Sequence, residues 1–248
     1  MTPAQCVKSF ESPSLGGPVL SFLLGAAAEA PEEAWRALGL PAEGAGAALW
    51  PALTASPRAL ARLSGAFAMA SPGGEAGWLA DFLAIDFSSL AARLLLLPPR
   101  GLLALGHYAG LTLYCREAAA LLRREEALAL REAFGPAARD FAVRRAPFLL
   151  REPGRLAEIL AGAMKGAGVG ELINQVNRAG RAALAASGVT LAPTLARLFL
   201  AKLPPPQGGG GPAAAPPSLD EGARYSLEAL LKKLLAKEAE LKPWAAFS

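Results

Sequence analysis

The chain has 248 residues, 53% of them hydrophobic and 19% charged. It is long enough to bury a sizeable core and too apolar to remain disordered throughout. One histidine and two cysteines at a net charge of +4 exclude a disulfide framework and the usual His/Cys ligand set of a zinc centre.

Many Leu and Ala against three Tyr and few Val or Ile favour helix over sheet. Residues 1–17 are rich in Pro, Ser and Gly and read as a flexible N-terminal segment. Residues 18–203 are expected to form an irregular multi-helix globular domain, all-α. A first helix is predicted from Pro18 to Ala28. A second opens at Pro31, where Pro followed by Glu32 and Glu33 suits a helix start, and stops at Gly39-Leu40-Pro41. Short helices and loops follow to Gly77, including one over Arg58–Met69.

Trp78–Leu97 carries a helical apolar stripe interrupted near Asp86, with Asp86 or Ser88 as the cap of its second part. Leu102–Phe134 is expected to hold one long helix, or two meeting near Arg116, with Leu121, Leu122, Leu128 and Phe134 inward. Further helices are predicted over Ala137–Leu149, Arg155–Met164, Glu171–Ser187 and Ala192–Leu200, for eight to ten in all. No segment alternates apolar and polar residues as a strand would, and no fixed-period repeat suggests a solenoid.

Residues 204–217, PPPQGGGGPAAAPP, form a Pro/Gly linker that cannot join a packed core. Residues 218–248 follow as a tethered amphipathic C-terminal helix, with Ser218 and Glu221 as an S-x-x-E capping box. Leu227, Leu230, Leu231, Leu234, Leu235 and Leu241 share one stripe, opposite Glu228, Lys232, Lys233, Lys237 and Glu240. That stripe must be covered, either by the chain's own domain or by a partner's groove.

Arginines alternate with acids, as in Arg123-Arg124-Glu125-Glu126, which reads as a solvated helix face and not as a nucleic-acid footprint. The apolar runs are broken by Arg93, Pro98-Pro99, Arg100 and Arg116, too soon for a membrane-spanning helix. Val19–Ala28 lacks the basic flank of a signal peptide. His107 lies in LLALGHYAGLTLY and reads as a core or groove histidine. Cys115, eight residues on, is about 12 Å away along a helix, too far for a dyad, and reads as packing. Gly166-Ala167-Gly168-Val169-Gly170 follows a helix and lacks the GK[ST] of a phosphate loop, so it reads as a break between helices. No catalytic, cofactor-binding or metal-binding set is expected. The candidate partner-binding residues are Arg116, Arg123, Arg124, Leu227, Leu230, Leu231, Leu234 and Leu235.

One resemblance goes further. Leu102-Leu103-Ala104-Leu105-Gly106-His107, the Tyr114-Cys115-Arg116-Glu117 run, the Leu128…Phe134-Gly135 helix end, Phe141–Leu150 and PTLARLFLAKLP at the end of Ala192–Pro204 together resemble the SctK/YscK family. These are accessory proteins of the bacterial type III secretion sorting platform. The similarity spans about residues 90–204. The chain departs from the family in its N-terminal stretch, represented only by Ser9-Phe10 to Leu15, and in the helix behind the linker. The resemblance implies a non-enzymatic cytoplasmic adaptor, peripheral to the inner-membrane secretion apparatus and supporting protein secretion. Its implied partners are the cytoplasmic domain of the inner-membrane ring protein and the platform's pod protein, and indirectly the stator and ATPase, without nucleic acid or membrane insertion. The rival reading is a generic helical chaperone or adaptor that binds through its C-terminal helix.

Overall fold

A computed structural model describes residues 85–86, 88–162, 168–203, 217–238 and 241–242. Among these residues there are nine α-helices and two single 3₁₀ turns, and no strand; the protein is all-α. None of these helices is long and apolar enough to cross a membrane. The helices expected before Ile85, and most of the 204–217 linker, lie outside the described residues.

The described residues up to Pro99 group with Thr190–Lys202 in one compact unit, and Arg100–Val189 group with those from Leu203 onward in a second. The C-terminal helix belongs to the second unit.

In the first unit, α1 (Leu90–Leu96) is capped by Ser89, whose hydroxyl accepts from the Ala92 amide at 3.3 Å. Neither expected cap is used. Asp86 instead accepts from the Ser88 amide and hydroxyl, at 2.9 and 2.6 Å. Those two bonds hold its carboxyl below the usual range. Leu97 is extended before Pro98, as a residue preceding proline prefers, and ends the helix. α8 (Pro193–Lys202) begins at its proline and ends at Lys202. The buried Lys202 amine donates to the Leu95 carbonyl at 2.8 Å. That carbonyl lies in the last turn of α1, where no intrahelical donor remains.

The second unit is built on α2 (Pro99–Leu113), buried almost all round in its second half. The one long helix, or two meeting near Arg116, expected from Leu102 to Phe134 is in fact three. Tyr114 leaves helical geometry at φ −110°, ψ 29°, and α3 (Cys115–Ala119) follows at once. An irregular stretch then leads to α4 (Arg124–Phe134). At the start of α4, Glu126 accepts from the Arg123 amide at 3.2 Å. This is the half of a capping box that an arginine cap leaves possible. The inward set is Ala127, Leu130 and Phe134. Leu122 is 86% exposed and Leu128 is exposed too, against expectation. Leu122 falls in the irregular stretch, and the helical register set by Phe134 favours Leu130 over Leu128.

α5 (Ala138–Arg144) runs into a 3₁₀ turn at Ala146–Phe148, and α6 (Pro153–Ala161) starts on its proline, two residues before the expected Arg155. Gly135 and Gly162, at φ 95° and 76°, end α4 and α6 in a region that residues with a Cβ rarely adopt. α7 (Val169–Ser187) then crosses α2. A Cβ built on Gly180 would lie 2.1 Å from the Gly106 carbonyl oxygen, and one on Gly110 would lie 2.1 Å from that of Val176. Only glycine permits this backbone approach.

α9 (Glu221–Lys237) packs on α7. Its cap is Asp220, which accepts from the Ala223 amide at 2.6 Å, and not Ser218. Leu227, Leu230, Leu231, Leu234, Leu235 and Leu241 are all buried.

Candidate functional site

The eight candidate residues fall into two sets. Arg116 on α3 and Arg123 and Arg124 at the start of α4 are exposed. Leu227, Leu230, Leu231, Leu234 and Leu235 are each 1% exposed or less. These leucines are therefore core, and the expectation that they present a partner-binding surface is corrected. The stripe is covered within the chain's own second unit, because α9 lies against α7 and is tied at several points. Lys233 donates to the Leu149 carbonyl at 3.2 Å, Arg145 pairs with Glu238, and Arg155 lies 3.7 Å from Asp220.

The other face of α9 opens on a half-open groove of about 820 Å³. At 100° per residue, Tyr225, Ala229 and Lys233 stand opposite the leucine stripe. Leu149 and Phe148 line the groove from the 3₁₀ turn, Leu156 and Ile159 from α6, and Tyr225 and Ala229 from α9. Phe148 is 84% exposed and Tyr225 76%. Two large aromatics left in water beside a concave apolar wall mark an interaction surface more than a packing defect. Arg151, Glu152, Arg155, Asp220 and Lys233 supply the charge.

Sequence reasoning missed this groove. The sequence places Phe148 within a helix over Ala137–Leu149, which ends at Arg144, and Tyr225 stands before the leucine run. One signal was readable: Gly222, Ser226 and Ala229 put small residues on α9's outer face, where a solvated helix usually carries longer polar ones.

His107 stacks edge-on against Phe134, with ring centroids 4.9 Å apart, and burial lowers its pKa. Cys115 is buried, and burial, followed by the nearby Glu117, raises its thiol pKa. A thiol held protonated is a poor nucleophile. The Tyr114 hydroxyl donates to the Gly162 carbonyl at 3.4 Å, and Tyr108 meets Phe141 edge-on at 4.7 Å. These groups brace helix ends and core. Among the described residues, no cluster of His, Cys, Asp and Glu could hold a metal ion. No family model, curated protein or solved structure matches the chain.

Proposed function

We propose that this chain is a helical adaptor of a bacterial type III secretion sorting platform, joining the cytoplasmic domain of the inner-membrane ring protein to the pod protein. Through the pod it would reach the stator and ATPase. It would act in the cytoplasm, at the periphery of the membrane apparatus. The observation that carries the adaptor reading is the α6–α9 groove with its exposed Phe148 and Tyr225. It is supported by an all-α second unit whose packed helices line the groove, and by the SctK/YscK resemblance over residues 90–204. The test is co-elution of the full chain with the purified ring-protein cytoplasmic domain and with the pod protein of the same genome. A complex with either one bears the reading out; failure with both overturns it.

A further inference from the structure

We infer that the α6–α9 groove takes one amphipathic, acidic helix from a partner protein, seated on two apolar anchor points two helical turns apart. The inference rests on the adaptor reading and specifies what the adaptor grips.

Phe148, Leu149 and Lys233 belong to one end of the groove, since the Lys233 amine reaches the Leu149 carbonyl. The other end holds Tyr225 and the Arg155–Asp220 pair. The eight steps from Tyr225 to Lys233 rise about 12 Å along α9 at 1.5 Å per residue. An incoming helix meets such a pair of ends with side chains about seven residues apart. The floor between them is low, because Ser226 and Ala229 project little from α9. A helix backbone can therefore approach closely, with Phe148 and Tyr225 exposed at the two ends to meet its apolar side chains.

Charge selects the occupant. Arg155 is matched by Asp220 at 3.7 Å. Arg151 and Lys233 remain against Glu152 and make the Phe148 end positive. Acidic residues beside the anchor that meets Phe148 complement that end, and basic ones are repelled. A neutral apolar helix would gain burial but no orientation.

The experiment pans a displayed library of randomised 14-residue peptides on the immobilised full chain. Phe148→Ser, Tyr225→Ser and Arg151→Glu serve as counter-targets. All three residues are exposed, so circular dichroism of the variants should match the parent. Enriched peptides should carry large apolar residues about seven positions apart and Asp or Glu near one of them. A labelled member should lose about tenfold or more in affinity on Phe148→Ser or Tyr225→Ser, as anchor residues do. Arg151→Glu should weaken it several-fold at low salt, by an amount that shrinks at about 0.5 M salt. Enrichment of basic or non-helical sequences overturns the inference. So does the absence of groove-dependent enrichment, or self-association of the chain that Phe148→Ser abolishes, which would assign the groove to a second copy. Either result beside intact capture of the ring or pod protein sinks the helix-in-groove inference alone. Groove-dependent acidic helices without such capture sink the secretion-platform assignment alone.

Discussion

Arg145 and Glu238 meet at 2.5 Å although 93 positions separate them in the chain. Glu238 is 3% exposed, where a carboxylate is costly without a cation. Arg145 is 38% exposed and lies over the Phe141 ring, 5.3 Å from its centroid. The pair fastens the end of α9 to the end of α5, and Lys233 on Leu149 adds a second tie between the same segments. Arg145→Ala removes the carboxylate's guanidinium and should cost about 1–3 kcal/mol, below the fully buried range because the arginine is partly solvated. Arg145→Met with Glu238→Leu should recover much of the loss. Urea unfolding of the two variants checks this, and equal destabilisation would show that the ion pair is not the source.

The α2–α7 crossing predicts a graded response to alanine. At Gly110 and Gly180 the new methyl meets backbone oxygen at 2.1 Å, so the helices must separate. Either substitution should cost about 2–4 kcal/mol, after allowing for the roughly 1 kcal/mol that alanine gains in helix propensity. Gly106→Ala meets the flexible tip of Leu184 at 3.3 Å and should cost less. Gly170→Ala, with nothing within 4 Å, should be neutral or stabilising. Denaturation midpoints should follow that order.

Lowered basicity at His107 gives a pH prediction with a definite sign. Burial keeps its folded pKa below the ordinary 6.5. As pH falls, the unfolded chain takes up this proton first, so the histidine's contribution is intact above about 6.5 and declines below it. His107→Gln should flatten this part of the urea midpoint profile between pH 7.5 and 5. An unchanged slope would assign the acid sensitivity to other groups.

Cys115 should resist modification. The residue is 2% exposed, and burial raises its thiol pKa. In a Cys6→Ser background, reaction with an aromatic disulfide reagent at pH 8 should proceed only as fast as the second unit opens, and should jump in 6 M guanidinium. Rapid labelling of the native chain would contradict the packing described for α3.

How much of this was legible in the sequence depended on the signal available. Local signals served well where nothing competed: Gly135 closes a helix and the α9 leucines share one face, whereas the start of α6 fell two residues early, on Pro153. Local signals failed where tertiary context decided. Tyr114 breaks an apolar run that nothing in its composition interrupts. Leu128 and Leu130 are both leucine on one helix, and only the packing of α4 chooses between them. Three side chains within four positions, Asp86, Ser88 and Ser89, can each cap a helix, and the backbone path selects Ser89. The groove was hardest to see, because Phe148 and Tyr225 are residue types that sequence reasoning places inside. Their exposure depends on where α6 and α9 come together, which no local pattern encodes.

The fate of the C-terminal helix is the sharpest remaining test. Sequence periodicity allowed the leucine stripe of α9 to serve either its own domain or a partner. The structure buries Leu230 and Leu234 completely and sets α9 on α7. Leu230→Asp with Leu234→Asp would place two carboxylates in that layer without donors. Each substitution loses about 2–5 kcal/mol of packing and adds the cost of burying a charge. The sum exceeds a large share of a domain's total stability, about 5–15 kcal/mol. The double variant, and a chain ended at residue 204, should therefore bind a hydrophobic dye, aggregate or melt well below the parent. Tyr225→Ser on the opposite face should leave the melting temperature within a degree or two. A truncated chain that stays monomeric with the parent's near-ultraviolet dichroism would show that α9 is dispensable to the second unit, and its leucines would again be open to a partner.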